Sequence, residues 1–562
     1  MVVVAKKHPA RRKYQGLRIA ARRSFLKTEI ELTDSRIGTA SGPHRVGATS
    51  IPFRVRKSEL ARGTAFNFIG QLLPLVAGVG LMPYIVKGLG PDRFGVLGIV
   101  WVVFGYFSLF DFGLGRATTK FLAEWLAKEN SAHVPALVWT SLATQVLLGL
   151  VGCLILSAAT PLLVSRGLKI PPYLSSEARI TFFILAMSLP LVLANNSLRS
   201  VLEGCQRFDI VNLLRIPSSA LVFIIPAVAL PFGLRLPGIV LLLVISRLGS
   251  AVAHLVYCVR VLPCLRLWPV FSKSVIGPLM SFGGWITVAN IVNPVLLSME
   301  RFLIGSLLSV AMVGYYTASF EAVTKLWMIP ASLTITIFPA CSGLGAERKR
   351  ELAVLYFRSM KYIFLILAPI SLVLVLFARQ IVQLWLGPDF AAKSAVVLQI
   401  LAIGVFINCF AHVPYCFLQA LGRPRVTAVL FLLELPPYTV FAWWMIRHAG
   451  IAGAATAWSV RAAIEVVLLM LIAWWTVSLS PREFLGREML RGLLILCVTA
   501  LAIIATKKVL HSSFLVEASL SGVWLAGFAL TIWKYVLDDL DRGSILGLMN
   551  PQRSARKARS AA

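Results

Sequence analysis

Charge is what this chain has least of. Only 14% of its 562 residues are Asp, Glu, Lys or Arg, and the acidic ones number 24. Soluble domains carry about 25% charged residues, so this chain has too little polar surface to face water on all sides. Cysteine and histidine are sparse too, at eight and seven. The cysteines lie mostly inside apolar stretches, with no CxxC pair and no His/Cys cluster at metal-ligand spacing. That pattern gives neither a disulfide framework nor a zinc site, and no metal or cofactor is expected. The first 58 residues lack an apolar h-region, so no cleavable signal peptide is expected there.

What the chain has in excess is apolar length. Hydrophobic residues make up 58% and mean hydropathy is +0.81. About 20 consecutive apolar residues cross a bilayer as helix, each satisfying its own backbone. Such runs recur at 64–86, 94–115, 134–164, 179–198, 213–233, 237–259, 276–300, 311–340, 361–378, 394–420, 426–446, 451–477, 489–506 and 514–534. The expected fold class is an all-α polytopic membrane protein with about fourteen transmembrane helices.

The net charge of +31 is concentrated outside those runs. Fourteen of the 55 Lys and Arg stand in the first 58 residues, and another group (RSARKAR) follows Leu540. Basic tails beside spans fix topology and touch anionic lipid, so membrane lipid is an expected partner and nucleic acid is not. With the N-terminus cytoplasmic, inner loops hold about 19 Lys/Arg against about 12 in outer loops. Both termini are therefore expected in the cytoplasm. The connections near 116–131 and 341–360 are amphipathic enough to be expected along the interface.

A weak internal repeat sits beneath this pattern. Residues 89–121 (LGPDRFGVLGIVWVVFGYFSLFDFGLGRATTKF) echo 307–339, and 198–212 (LRSVLEGCQRFDIVN) echo 413–429 (VPYCFLQALGRPRVTAV). The offset is about 216–219 residues, or six spans. The economical organisation is two pseudo-repeated six-helix lobes plus a C-terminal helix pair. Residues 59–275 are expected to form an N-lobe, 276–480 a C-lobe and 481–535 the pair, between a disordered basic cytoplasmic tail at 1–58 and a basic cytoplasmic tail at 536–562. Such repeats suit alternating access to a midplane cavity, although duplicated bundles also serve channels and scaffolds.

The stretch NFIGQLLPLVAGVGLMPYIVKGLGPDRFGVLGIVWVVFGYFSLFDFGLGRATTKFLAE (67–124) resembles the first two helices of bacterial oligosaccharide flippases. These form the polysaccharide-transport branch of the multidrug/oligosaccharidyl-lipid/polysaccharide exporter superfamily. The segments SMERFLIGSLLSVAMVGYYTASFEAVTKLWMIPASL (298–333) and LWLGPDFAAKSAVVLQILAIGVF (384–406) resemble the same family. The likeness covers about 60–475 and fades in the last two helices. It implies two six-helix lobes around a cavity, in a multi-pass protein of the bacterial inner membrane. It also implies movement of undecaprenyl-diphosphate-linked oligosaccharide to the outer leaflet, for surface or exopolysaccharide biosynthesis. Partners would include the lipid-linked oligosaccharide and the glycan polymerase and glycosyltransferases of the same pathway.

Ionisable groups at mid-bilayer cost about 2.5–3.5 kcal/mol on insertion scales and usually face a cavity or a partner. Arg247 and Arg461 stand about ten residues into the sixth and twelfth spans, on the order of 15 Å deep. Matched in the two lobes, they are candidates for binding a diphosphate, which planar guanidinium groups suit. A structural alternative stands beside this, since Glu465 lies four residues from Arg461 and could neutralise it. Glu321 and Lys325 form a second i,i+4 pair, open to structural and functional readings alike. Glu434 has no same-helix partner and is a candidate coupling carboxylate, or a cross-helix partner of Arg461. Asp111 and Arg116, with Lys120 and Glu124, suggest a gate or topology anchor at the end of span two. Asn67, Gln71, Asn290 and Asn293 are candidates for sugar hydroxyls or for helix–helix hydrogen bonds.

Two other functions compete. A multidrug or organic-cation exporter of the same superfamily would want an acidic cavity, whereas the deepest matched charges here are arginines. A membrane glycosyltransferase or polymerase needs catalytic carboxylates or metal ligands on a sizeable outer loop. The outer connections run to about 15 residues, and none carries a DxD pair or a His/Asp cluster. No enzyme activity is expected.

Overall fold

The computed structural model describes residues 57–107, 114–127, 134–266, 271, 284–344, 348–477, 487–510, 514–538 and 541–542, with side chains from Leu73. Met1–Ala61 and Arg62–Ala562 are separate units, and the helical body belongs to the second. Among the described residues the regular structure is helical, with no strand. In chain order the helices are α1 (Lys57–Phe107), α2 (Leu114–Ala127), α3 (Val134–Leu162), α4 (Pro172–Met187), α5 (Leu189–Gly204), α6 (Phe208–Ala229) and α7 (Leu236–Val261). Then come α8 (Gly284–Leu307), α9 (Val310–Thr324), α10 (Met328–Leu344), α11 (Lys349–Leu376), α12 (Ala378–Leu386), α13 (Pro388–Cys409) and α14 (His412–Ala420). The chain closes with α15 (Pro424–Val477), α16 (Arg487–Leu510) and α17 (Phe514–Tyr535).

Ten stretches among the described residues are long and apolar enough to cross a membrane. Two of them, 73–105 and 425–476, hold a glycine with positive φ that breaks the run. Gly90 (φ 73°) interrupts α1 and Gly450 (φ 57°) interrupts α15. Glycine alone adopts this left-handed backbone without a Cβ penalty. A 52-residue run would extend about 78 Å, over twice the hydrocarbon thickness, so the break at Gly450 is what fits it to a bilayer. Pro91 starts the second half of α1 at a position where a helix needs no N–H.

Burial sorts the spans. Only 11% of the Val134–Gly167 window is covered by protein, against 67% for Pro388–Ala420, so the first faces lipid and the second runs through the centre. Leu154 and Trp475, 70% and 82% exposed, would be costly in water and cost nothing in hydrocarbon. One continuous apolar core joins α1 and α3 through α15, and a smaller one joins α2, α3, α5, α6 and α7.

Two connections add detail to the expectation. The amphipathic α2 buries Leu114, Ala117 and Leu122 in that smaller core and leaves Arg116 exposed. Its Leu122 side chain and Thr119 carbonyl crowd Gly204 of α5 so closely that a Cβ there would lie 3.1 Å from each. It therefore packs on protein through its apolar face. Second, α11 starts at Lys349, twelve residues before the expected span. Leu352, Ala353, Tyr356 and Met360 bury one face of that extra length, so the helix runs on unbroken.

Candidate functional site: a mid-depth chamber between two sets of helices

Helices α1–α7 meet α8–α15 backbone to backbone near Gly90. A Cβ on Gly314 would stand 2.7 Å from the carbonyl oxygen of Pro91 and 3.2 Å from the nitrogen of Gly95. The Lys169 N–H donates to the Gly305 carbonyl (2.8 Å), and its ammonium donates to the Leu307 carbonyl (2.5 Å). Behind this seam Arg93 pairs with Glu177 at 3.1 Å, and Glu177 also accepts from the N–H of Leu236. Those bonds tie α1, α4 and α7 together.

Beyond the seam the two sets part around a cavity of about 280 Å³. Trp101, Val102 and Gly105 line it from α1, and Pro294, Leu297, Ser298 and Arg301 from α8. Phe320, Glu321, Thr324 and Trp327 line it from α9 and the turn after it. At 1.5 Å per residue counted from the seam, Arg301 is about 9 Å from Leu307, while Trp101 is about 17 Å from Gly90 and Glu321 about 17 Å from Val310. The lining thus lies about 9–17 Å along the helices from the seam, against a hydrocarbon layer of roughly 30 Å. The wall is broken there: a 3₁₀ turn, Lys325–Trp327, separates α9 from α10. Pro330 has no N–H for the Leu326 carbonyl, which a regular helix would require. A discontinuous helix of this kind is tolerated at membrane depth where it borders a cavity.

Charges crowd the same level. Arg301 (4% exposed) and Lys325 both pair with Glu321, at 3.2 and 3.1 Å. Arg301 also stacks over Phe320, and Lys325 over Phe223 of α6. One residue earlier, the fully buried Glu300 accepts from the hydroxyls of Tyr316 (3.2 Å) and Tyr438 (3.0 Å). Arg461 reaches Glu465 at 2.8 Å and Glu434 at 3.4 Å, beneath the rings of Tyr438 and Trp458. Arg461 is thus held by both acids that the sequence placed within its reach. Arg247 differs: half-buried on α7, it lies over the Phe104 ring (5.6 Å) and has no carboxylate partner among the described residues.

The expected site residues divide accordingly. Glu321 lines the chamber and Lys325 is its partner, while Arg461, Glu434 and Glu465 form a separate buried triad. Asn293 is half-buried on α8, next to the lining Pro294. Arg116 is exposed on α2. Asn67, Gln71 and Asn290 belong to described helices, but their side chains, like Asp111, lie outside the described residues. The sequence reading missed Glu300, Arg301, Trp101, Phe320 and Trp327. The first two fell at the expected end of a span drawn as 276–300, whereas α8 continues to Leu307. The aromatic residues carried no signal that separates a cavity wall from a core.

This arrangement defines a polytopic all-α membrane protein in which two sets of helices border an aromatic chamber lined by Arg301 and Glu321. The solved structures it resembles share that fold. The lipid II flippase MurJ in an inward closed conformation matches with a TM-score of 0.66 at 11% identity, over 84% of this chain and 99% of that one. An inward-facing multidrug resistance MATE family transporter of the MOP superfamily matches with a TM-score of 0.61 at 16% identity, over 73% and 98%. Residues 88–395 match the family model described as "Polysaccharide biosynthesis protein". A Shigella flexneri protein named "Putative O-antigen transporter" is 30% identical over 413 residues, 73% of this chain and 96% of the relative. The chain belongs to this polysaccharide biosynthesis protein family.

Proposed function

We propose that this protein is a transporter, not an enzyme, that flips polyprenyl-diphosphate-linked oligosaccharide across the bacterial inner membrane by alternating access. The observation that carries the reading is the chamber itself: mid-depth, shared by both sets of helices, and lined by Arg301 beside three aromatic rings. Guanidinium groups bind diphosphate through planar, paired donors, and indole and phenyl faces suit the apolar faces of sugar rings. Family membership and the relative named for O-antigen transport support the substrate class. The seam near Gly90 corresponds to a closed outer side, with both termini cytoplasmic and fourteen spans arranged as six, six and two. Arg247 supplies a further cation on the way to the chamber, and the Arg461–Glu434–Glu465 triad couples the cycle to an ion. The test is Arg301→Gln in a cell that depends on this protein for surface glycan. Glycan should be lost while protein remains in the membrane; normal glycan at normal protein levels rejects the reading.

A further inference from the structure

A carboxylate on the chamber wall is shared by two cations, of which Arg301 also lines the cavity and Lys325 stands behind it. Arg301 and Lys325, from different helical segments, both point at Glu321, and Glu321 lines the cavity. Arg301 is almost wholly buried, and its Nε–H has no partner. The indole N–H groups of Trp101 and Trp327 are likewise buried without acceptors on the chamber wall. Around the chamber there are thus more buried donors than its single acid satisfies. Other charges nearby pair with groups outside the cavity lining, although Arg461 Nε and Nη2 and Glu434 Oε1 are also buried without partners. Glu300 faces Tyr316 and Tyr438, Arg461 faces Glu434 and Glu465, and Arg247 lies over Phe104.

We propose that Glu321 is a resident counter-anion: it occupies the seat of the substrate's diphosphate in the empty chamber and is displaced when substrate binds. The inference rests on the diphosphate reading above. A buried Arg301 with no anion would be strongly destabilising, so the empty state needs a carboxylate in place. A diphosphate offers several acceptor oxygens where Glu321 offers two, and it takes over both cations. On release Glu321 pairs with them again, which keeps binding weak enough for the ligand to leave. No bond is made or broken.

The test is calorimetric titration of the full chain in nanodiscs with farnesyl diphosphate and, separately, inorganic pyrophosphate. Removing the competitor with Glu321→Gln should tighten farnesyl diphosphate binding about tenfold, the scale of one charged hydrogen bond. It should also slow flipping. Glu321→Asp keeps the charge, and with it a counter-ion for Arg301, but cannot reach both cations at once; binding should tighten about threefold. If either variant is folded and binds no tighter than wild type while Arg301→Gln still abolishes binding, the counter-anion proposal is wrong and the diphosphate reading stands. If wild type does not bind, or Arg301→Gln binds equally well, the diphosphate reading itself fails. Farnesyl diphosphate should bind more tightly than pyrophosphate; equal affinities would overturn a lipid-linked source for the ligand.

Discussion

A Cβ placed on Gly95 would fall inside the van der Waals envelope of the Val310 carbonyl oxygen, so the two sets of helices close backbone against backbone. Packed interfaces are bistable rather than deformable, and contact at this range admits no side chain. Gly95→Ala should therefore force the seam open. Cysteine labels near Gly90 should become accessible to membrane-impermeant reagent from the outer side, and flipping should stop. Unchanged labelling would show that the seam does not depend on this contact.

Arg461 and Arg247, matched by position in the sequence, should behave differently. Arg461 is 4% exposed and pairs with two buried carboxylates. Arg461→Ala leaves both without a cation and should cost about 3–5 kcal/mol, visible as a lower melting temperature and less protein in the membrane. Arg247 has no carboxylate partner among the described residues. Arg247→Ala should keep the melting temperature and reduce surface glycan. A double variant would lose protein, and that loss should follow Arg461 alone.

The internal repeat is visible in backbone detail at its 216-residue offset. Gln206 (φ 58°) and Gly422 (φ 75°) end equivalent helices in the left-handed region. Each is flanked by the same bonds: Arg207 N–H to the Leu202 carbonyl, and Arg423 N–H to the Leu418 carbonyl, both 2.9 Å. This helix-ending motif favours glycine. Gln206→Gly should stabilise the protein by about 0.5–1 kcal/mol, and Gly422→Ala should destabilise it by about 1 kcal/mol. Thermal melts in one detergent compare both; a lower melting point for Gln206→Gly would contradict the argument.

The fold was legible because hydrocarbon solvent imposes one rule, twenty apolar residues per crossing, and the chain obeys it almost everywhere. Same-helix pairs were legible for the same geometric reason: Glu321–Lys325 and Arg461–Glu465 follow from a 3.6-residue turn. Cross-helix partners were not. Arg301 meets Glu321 only because α8 extends past Glu300 and folds back as α9, and no periodicity records that contact. Tyr316 and Tyr438 converge on Glu300 from residues 122 positions apart, which is tertiary information.

The terminal helices, the least legible part of the sequence, are held by a buried ion cluster on α11. Lys361 contacts Glu488 (2.8 Å), Asp538 (3.3 Å) and Asp541 (2.5 Å), and Tyr362 donates to Asp541 at 2.7 Å. At the far end of the pair, Lys507 donates to the Leu376 carbonyl (2.7 Å). Burial raises the pKa of Asp541, but the bonds from Lys361 and Tyr362 outweigh it and hold the carboxyl below its ordinary value. A depressed folded-state pKa contributes stability above the unfolded value, and that stability is lost as pH falls through the folded one. Lys361→Ala should thus lower the melting temperature at neutral pH, with a cost of about 3 kcal/mol. The gap between wild type and variant should persist down to the ordinary aspartate range and close only below it. A gap that closes above pH ~5 would place the linkage on another group.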